Sequence, residues 1–515
     1  MLIRQNWVTS EFSPPKEELF FLKQEEVKKP VHKGLIRTLG TGGLFSIGYA
    51  DVGAGIFLAL GLVALHAGYA TPLAIGVAAI AYALTGLTYA ELSSTYPMAG
   101  GSATYARAAF GDGVSFVAGW MLCLDYLVTS AIFSIPAVGY LSYFYPPLKE
   151  PLWLGVGAML ILAGLVALNT IGIRSSVRFT LALSILDIAS EIALITLGLV
   201  LVLIPSGALF SWPGKFNLGT SFPGPRWDQF VQGITLAMVS YLGIEAVAQA
   251  AEETKVAGRT IPRATMLTVT VVTVIYLLVS LVSVNLVPPL ILSSTWKNDP
   301  LSGVANSLPV AGWALAIWIS ILGASISIIG ANAGIIGSSR MLYAMSQYKL
   351  LPGKFGEIHS RFRTPYISIL TFGLGSILLV GFSTMINLGD SVDPLVLLGS
   401  LYNVGALIAY VQAHLSVIIT RNTDREHFRP FRIPWSIRFM RRREEWELPI
   451  LPLAGMLITG AIWVAVIATH ELGRLLGVVW VLMGMGIYIY FRRRNNLPVW
   501  KRADVEVSNP RRVEG

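Results

Sequence analysis

The sequence predicts an all-α membrane protein with twelve transmembrane helices. Hydrophobic residues make up 54% of the 515 residues and charged residues only 13%, more apolar surface than a soluble chain can bury in one core. Apolar windows of about 20 residues, the length that crosses a bilayer, recur along the chain. Two of these windows are interrupted by glycine and polar residues, which a membrane tolerates only where protein, water or a ligand satisfies the freed backbone.

Each apolar window is interpreted as one span. The predicted spans are residues 39–66, 72–93, 114–143, 151–169, 179–204, 229–251, 265–287, 310–338, 366–388, 394–420, 449–469 and 473–491. The predicted organisation is a tail (1–37), a ten-helix core (38–420), a polar loop (421–448), two further helices (449–491) and a second tail (492–515). The three polar segments are too short for a core of their own.

The distribution of positive charge predicts the orientation. With the N-terminus inside, 33 of the 38 Lys and Arg residues fall on the inner side and five on the outer side. This bias predicts cytoplasmic N- and C-termini in a plasma or inner membrane. It also explains the net charge of +9 without nucleic acid, because runs such as 441–443 and 492–494 flank spans and are expected to face anionic lipid heads.

The N-terminal segment lacks an apolar signal core, so an export signal is not expected. Cys123, the single cysteine, lies within an apolar segment. An intramolecular disulfide and an obligatory disulfide-linked partner are therefore not expected.

The first span is interrupted at Gly53-Ala54-Gly55. If a half-helix starts near Ile56, the amides of residues 54–56 point into the break, where the helix dipole favours an anion such as a carboxylate. Small residues there also let a ligand approach the main chain. The alternative explanation is close helix packing through small residues.

The sixth span is interrupted between Ser240 and Glu245. Carbonyl groups freed around Tyr241, Leu242 and Gly243 would offer partial negative charge to an ammonium group, so that the two breaks together suit a zwitterion. The Tyr241 ring is a candidate gate. Interruptions five spans apart predict two inverted repeats, at about residues 38–204 and 229–420.

Acidic residues inside the spans have no basic partner in the apolar sequence. They are Asp51, Asp125, Asp187, Glu191 and Glu245. Each is expected to be protonated, to bind a cation or to face water, because an unpaired charge at membrane depth costs several kcal/mol. Asp187 and Glu191, spaced i and i+4, share a helix face. Such a set suits coupling to a proton or a cation, although neutral acids bonded to neighbouring helices remain the alternative for any one of them.

Several longer motifs occur in order along the chain. They are Gly53-Ala54-Gly55-Ile56-Phe57, Tyr89-Ala90-Glu91-Leu92, Gly243-Ile244-Glu245, Ala251-Glu252-Glu253-Thr254-Lys255, Arg259-Thr260-Ile261-Pro262-Arg263-Ala264, Asn332-Ala333-Gly334, Ser339-Arg340-Met341-Leu342-Tyr343-Ala344-Met345 and Thr364-Pro365-Tyr366. Over residues 35–435 the chain resembles amino acid permeases of the amino acid, polyamine and organocation (APC) superfamily.

The resemblance implies the LeuT-type fold, with ten core helices in two inverted repeats and broken helices one and six, followed by two additional helices. It further implies alternating access, with the substrate held between the two broken helices. The charged residues at the inner span ends are interpreted as a cytoplasmic gate and helix-cap network: Glu91, Glu252, Glu253, Arg263 and Arg340.

A second resemblance concerns a few positions. Asp51, with Asp125, Tyr126, Thr129 and Tyr402, resembles the site of KUP- and KimA-type potassium importers of the same superfamily. Leu58 and Leu242 stand where that pattern has oxygen-bearing side chains, and the loss of two ligands weakens a potassium site.

Counted along the fifth span relative to the permeases that the chain resembles, Asp187 stands where many of them have a lysine. Ser325 and Ser327 are possible oxygen partners. An aspartate there would attract a cation or a proton. The coupling ion is expected to be H⁺, Na⁺ or K⁺, and the candidate site for a monovalent cation is Asp51 with Asp125.

The favoured hypothesis is a symporter or exchanger of amino acids or related amines, coupled to protons or a monovalent cation. A proton-coupled potassium importer is the alternative, and a non-transporting nutrient sensor is a third hypothesis. The sequence offers no constellation of nucleophile, base and metal typical of an enzyme, and we expect no cofactor. The expected partners are a small-molecule substrate and membrane lipids.

Overall fold

A computed structural model describes residues 37–98, 100–172, 177–206, 225–389, 392–441 and 444–502, and these are mostly helical. Apart from Arg37, the predicted N-terminal tail lies outside the described residues. So do residues 503–515 of the predicted C-terminal tail.

The helices of the first half follow one another with short connections. They are α1 (Thr41–Val52), α2 (Gly55–Ala67), α3 (Thr71–Thr95), α4 (Gly101–Phe110), α5 (Asp112–Leu141), α6 (Pro151–Ile171) and α7 (Val177–Gly198). A π-helical turn (Leu199–Leu203) and a last α-helical turn (Ile204–Ser206) follow α7, and 3-10 turns lie at Gly68–Ala70 and Pro146–Lys149.

The second half contains further helices and one hairpin. Its elements are α8 (Trp227–Val239), α9 (Glu245–Gln249), α10 (Ala257–Leu286), α11 (Pro289–Ser294), α12 (Pro300–Asn306), α13 (Gly312–Gln347), α14 (Tyr366–Leu388), α15 (Pro394–Thr423), β1 (Ser436–Arg441), β2 (Glu444–Pro449), α16 (Ile450–Thr469) and α17 (Glu471–Arg494). Turns of 3-10 helix lie at Ala251–Glu253 and Gly353–Gly356.

Ten helical stretches among the described residues are long and apolar enough to cross a membrane. One of them, Thr41–Thr95, runs from α1 to α3 and contains the first two predicted spans. The sixth predicted span corresponds to α8 and α9, which are separately too short to count among the ten. The chain is therefore a multi-pass helical membrane protein in which two of the predicted spans are built from shorter helices.

Burial separates central from peripheral helices. In α5, 94% of the apolar window is buried within the protein, against 28% in α16 and 22% in α17. Helix α5 packs against α13 and α15, while α3 packs against α10. The long apolar faces of α16 and α17 that remain exposed are consistent with contact with lipid.

Local signals explain where several helices begin and end. The Asp393 carboxylate accepts hydrogen bonds from the amides of Leu395 and Val396 at the start of α15, and Pro394 occupies the first helical position. Gly172 ends α6 in the left-handed conformation, at a φ of +85°.

A buried ion pair joins α3 to the end of α15. Arg421 donates from Nε and Nη2 to the two carboxylate oxygens of Glu91 at 2.8 and 2.5 Å, and both side chains are fully buried. Glu91 also accepts from the Ile433 amide at 2.8 Å, and Arg421 extends to Glu447 on β2 at 2.8 Å. This network holds the segment 424–449 against the helix bundle.

The hairpin formed by β1 and β2 lies mostly in the predicted polar loop, where the sequence pattern did not predict a strand. Its antiparallel register runs from Ser436 opposite Pro449 to Arg441 opposite Glu444.

The charged residues of the predicted gate network do not form one cluster. Some of them belong to separate ion pairs. Arg340 donates to Glu253 at 2.7 Å, whereas Glu91 belongs to the buried network with Arg421. Arg263 is exposed. Backbone bonds also connect the start of the first span to the end of the sixth, since the Thr38 and Leu39 amides donate to the Glu253 carbonyl at 2.9 and 3.0 Å.

The expectation that residues 492–494 all face lipid is wrong for Arg492, whose side chain is fully buried. It donates to Asp112 at 2.9 Å and to the Pro498 carbonyl, so it fastens the segment after α17 to the start of α5.

At the opposite end of the bundle, the segment with α11 and α12 packs on α2 and α5. Gly61 and Gly139 allow this approach, because a Cβ at either position would meet the backbone of Lys297 or Asn298. The buried Asp299 carboxylate lies 3.4 Å from the Lys149 ammonium. Burial raises the pKa of Asp299 to about 6, although the Lys149 charge opposes that shift.

We expect Arg421→Gln to lower the melting temperature of the detergent-purified protein markedly. It leaves the buried Glu91 without its bidentate partner, and breaking a buried pair costs about 3–5 kcal/mol. Adding Glu91→Gln should recover part of the loss. The control is Arg438→Gln, whose partner Glu445 is 3.8 Å away on the exposed hairpin. Equal losses in R421Q and R438Q would contradict the role of the buried pair.

The raised pKa of Asp299 predicts a pH-dependent contribution to stability. Because the folded-state pKa lies above the ordinary value of 3.8, the folded state binds more protons between about pH 4 and 6, and stability falls as pH rises through this range. The full change is about 3 kcal/mol. Between pH 4.5 and 7 the melting temperature of the wild type should therefore fall more than that of Asp299→Asn. Equal changes in the two proteins would contradict the prediction.

Candidate functional site

The first interruption lies between α1 and α2. Here Gly53 and Ala54 leave the helix, and the Gly53 amide donates to the Tyr49 carbonyl at 2.6 Å. The Tyr276 hydroxyl of α10 spans the break, donating to the Val52 carbonyl at 2.5 Å and accepting from the Ile56 amide at 3.2 Å. A tyrosine hydroxyl therefore satisfies one backbone group on each side of the break.

The glycines bring the first interruption close to the second. A Cβ at Gly55 would collide with the Ser240 backbone, so only glycine permits this approach. The close packing proposed as the alternative role for the small residues is thus present at Gly55, and Ala54 is buried beside it. The Ile56 amide, predicted to face a substrate carboxylate, has the Tyr276 hydroxyl as its partner in this structure.

The second interruption comprises Ser240 to Ile244, between α8 and α9. Gly243 has a φ of +118°, a conformation that side-chain-bearing residues rarely adopt. Its amide donates to the Tyr410 hydroxyl at 3.2 Å, and that hydroxyl donates to the Glu245 carboxylate at 2.6 Å. Tyr410 of α15 thus satisfies one backbone group at this break, as Tyr276 does at the first, but it donates to the side chain of Glu245 instead of a second backbone group.

Three acidic side chains from different helices meet beside the two interruptions. We call Asp51, Asp125 and Glu245 the acidic cluster; their side chains are at most 1% exposed. The Asp51 carboxyl packs on Gly243, since a Cβ there would lie 2.9 Å from its Cγ. Asp125 and Glu245 face one another closely enough for a hydrogen bond when one carries a proton.

When all three acids are ionised, several oxygens of the acidic cluster have no hydrogen-bond partner among the described residues. They are Oδ1 of Asp51, both carboxylate oxygens of Asp125 and Oε1 of Glu245. Buried polar atoms are normally bonded, so orphaned acceptors at one place indicate a position for a donor such as an ammonium group or a proton.

Tyrosine and threonine side chains surround the cluster. Thr129 donates to the Asp125 carbonyl at 2.8 Å, and the Tyr402 hydroxyl lies beside Thr129 within electrostatic range of all three acids. Tyr126 accepts a hydrogen bond from Gln249 of α9. The structure therefore brings together the residues Asp51, Asp125, Tyr126, Thr129 and Tyr402 that the sequence analysis selected from three spans.

Tyr241 lies at the second break between two further tyrosine rings. Its ring centroid is 5.0 Å from that of Tyr82 and 5.2 Å from that of Tyr276. The Tyr241 hydroxyl is buried without a partner among the described residues, and Leu242 beside it is buried. This ring connects the region of the acidic cluster with the tyrosine that bridges the first break.

A second acidic pair lies on the other side of α1. The Tyr49 hydroxyl is 3.0 Å from Oδ2 of Asp187 and 3.1 Å from Oε2 of Glu191, so both acids share one face of α7 as predicted. Ser325 donates instead to the Ile321 carbonyl of its own helix, and the Ser327 hydroxyl is buried without a partner in the described chain. In the described chain, Asp187 thus accepts a hydrogen bond from Tyr49 rather than from these serines.

Sequence reasoning missed Tyr276 and Tyr410. A usable signal existed for each: Tyr276 is the one tyrosine in the apolar run 265–287, and Tyr410 follows Tyr402 by eight residues, which places both on one helix face. The described residues contain no group of three or more His, Cys, Asp or Glu side chains arranged to hold a metal ion.

The comparisons with known proteins agree with one another. The family model for amino acid permeases matches residues 39–484. The chain belongs to the amino acid permease family.

Among the relatives, the branched-chain amino acid permease BcaP of Bacillus subtilis (strain 168) is 27% identical, over 90% of this chain and 95% of its own length. The low-affinity putrescine importer PlaP of Escherichia coli (strain K12) is 28% identical, over 81% of this chain and 85% of its own. Cationic amino acid transporter 4, vacuolar, of Arabidopsis thaliana is 26% identical, over 75% of this chain and 64% of its own. As a member of this family the protein is a transporter rather than an enzyme.

We expect Gly243→Ala to abolish substrate binding and lower the melting temperature. The added Cβ is strained at positive φ and meets the Asp51 carboxyl, so both the break and the acidic cluster must shift. The matched control is Gly164→Ala in α6, where a Cβ meets nothing within 4 Å. Binding by the G243A protein at wild-type affinity would contradict a site at this break.

Proposed function

We propose that this amino acid permease transports an amino acid or related amine whose ammonium group binds the acidic cluster. The observation that carries the proposal is the meeting of Asp51, Asp125 and Glu245 beside two interrupted helices, with orphaned carboxylate oxygens. Buried acids without basic partners attract a cationic ligand or a proton. The names of two relatives, a putrescine importer and a cationic amino acid transporter, support a substrate with a positively charged amine.

The carboxylate of an amino acid substrate would bind at the start of α2. The donors at this end include the Ile56 amide, now bonded to the Tyr276 hydroxyl, and the helix dipole favours an anion there. To bind a carboxylate, the Tyr276 hydroxyl would turn from the Val52 carbonyl to the substrate. A polyamine has no carboxylate and would leave the Tyr276 bridge intact. This difference separates the two substrate classes chemically.

Coupling would follow from the crowding of the acids. Three ionised carboxylates in an apolar interior repel each other, so the binding of a cationic substrate and of a proton or monovalent cation are linked through the same groups. The pair Asp187 and Glu191, bridged by Tyr49, is a second candidate proton or ion position on the other side of α1.

The finer architecture is part of the proposal. We infer twelve membrane crossings in a LeuT-type arrangement, with repeats at about residues 38–204 and 229–420, a polar loop at 421–448 and two added helices at 449–491. Helices in the described chain coincide with each of the twelve predicted spans, and interruptions in the first and sixth support the repeat. Cytoplasmic termini in a cell membrane follow from the inner excess of basic residues.

A proton-coupled potassium importer is the second candidate. The arrangement of Thr129 and Tyr402 next to Asp125 favours it, because carbonyl, hydroxyl and carboxyl oxygens suit a hard cation. Against it, the apolar side chains of Leu58 and Leu242 are buried where further oxygen ligands would be needed. A nutrient sensor that binds substrate without transporting it is the third.

The decisive test uses proteoliposomes with an imposed proton gradient. We expect uptake of a labelled amino acid or of putrescine by the wild type, and its loss in Asp51→Asn, because the substitution removes a charge from the acidic cluster while keeping its size. Asp228→Asn, at an exposed acid in the first turn of α8, is the control and should transport normally.

Other outcomes identify the other candidates. Uptake of rubidium without any amino acid or amine uptake would replace this proposal by the potassium importer. Binding of an amino acid without uptake would indicate the sensor. Lysine uptake that Tyr276→Phe impairs more strongly than putrescine uptake would assign the carboxylate position to the start of α2, because both substrates lose the bridge across the break but only lysine loses a carboxylate donor.

A further inference from the structure

A polar cavity that contains none of the acidic cluster lies where the segment after α15 folds against the β1–β2 hairpin. Its volume is about 560 Å³, within the range of small-molecule sites. Its lining residues include Arg421, Arg425, Arg429, Arg432 and Arg438, together with the acids Glu426, Glu445 and Glu447. The cavity thus concentrates five guanidinium groups around one space.

Most of these arginines have acceptors within the protein. Arg421 is held by Glu91 and Glu447, and Arg432 pairs with Glu447. Arg425 donates to the carbonyls of Asn422 and Glu445. These contacts hold the loop in place, so the three arginines have a structural role.

Arg429 differs from its neighbours. Its side chain is only 8% exposed, and its Nη1 is 3.3 Å from Oε1 of Glu91. Its Nη2 is enclosed without a hydrogen-bond acceptor among the described residues. A buried cationic donor without an acceptor is costly, so this group indicates a ligand more directly than an exposed arginine would.

Glu91 accepts a hydrogen bond from Nη1 of Arg429 at 3.3 Å but gives Nη2 no acceptor. The two Glu91 oxygens already receive two short bonds from Arg421 and one from the Ile433 amide. The nearby Asp424 accepts from the Tyr96 hydroxyl and lies 3.3 Å from His427. Glu91, Asp424 and the lining residue Glu447 are thus bonded to other donors, while Nη2 of Arg429 can still donate to a ligand.

We propose that this cavity binds a phosphate-bearing anion, with Arg429 as the principal ligand and Arg425, Arg432 and Arg438 around it. The planar guanidinium group presents paired N–H donors that match phosphate oxygens, and a phosphate supplies the acceptor that Nη2 lacks. The source is either the headgroup of an anionic lipid or a phosphorylated solute on the side of the membrane where this loop lies. The site is separate from the proposed transport site.

The test uses the full chain in nanodiscs of phosphatidylcholine, with inorganic pyrophosphate as the soluble probe and calorimetry as the measurement. We expect binding that weakens with added salt, and at least tenfold weaker binding by Arg429→Gln. Arg429→Lys, which keeps the charge but not the paired donors, should bind between the two. The matched control is Arg493→Gln, an exposed arginine on α17 outside the cavity, which should bind as the wild type does.

The lipid source is tested in nanodiscs that contain phosphatidylglycerol. Retention of more phosphatidylglycerol by the wild type than by R429Q in native mass spectrometry, with weaker pyrophosphate binding in these discs, would assign the site to a lipid headgroup. Pyrophosphate binding of equal strength in both discs would assign it to a solute. The proposal is overturned if the folded wild type binds neither probe, or if R429Q, with an unchanged melting temperature, binds both as the wild type does.

Discussion

Hydrogen bonding across two broken helices is the constraint on which this structure depends. A helix interrupted inside an apolar bundle frees backbone donors and acceptors that lipid cannot satisfy. The Tyr276 hydroxyl joins the Val52 carbonyl to the Ile56 amide, and the Tyr410 hydroxyl joins the Gly243 amide to Glu245. Each bridge comes from a neighbouring helix, so the breaks persist only in the packed protein.

The placement of charge follows from the same constraint. Two fully buried arginines lie at the ends of helices, where Arg421 meets Glu91 and Arg492 meets Asp112. The middle of the bundle instead contains acids with tyrosine neighbours, as in the acidic cluster and at Tyr49 with its two acids. Ion pairs thus stabilise the ends of the helices, while the centre keeps acceptors that a cationic substrate or a proton can satisfy. Under the proposed coupling, this separation would let the centre change its charge without releasing the contacts that hold the helices together.

Much of the candidate site could be predicted from the sequence because its residues are of types that are unfavourable within an apolar helix. Glycines and acids within apolar spans are costly, so Asp51, Gly55 and Glu245 are visible in the sequence without any contact information. The tyrosine bridges were missed because tyrosine is ordinary in an apolar helix, and its hydroxyl becomes informative only when its partner is known. The hairpin and the burial of Arg492 were missed for a similar reason. Charged residues next to a span indicate a lipid interface unless the fold supplies a buried acid, as Asp112 does here.

The sequence by itself determined the membrane class, the positions of the long apolar helices, the two interruptions and the family, because these depend on composition, periodicity and short motifs read along the chain. Only the tertiary structure decided which side chains meet. In the folded protein Asp51 packs against Gly243, and the Ile56 amide donates to the Tyr276 hydroxyl. Arg421 pairs with Glu91, and Nη2 of Arg429 has no acceptor among the described residues. These contacts join residues far apart in the chain, and their geometry depends on the packing of whole helices, which no local pattern encodes.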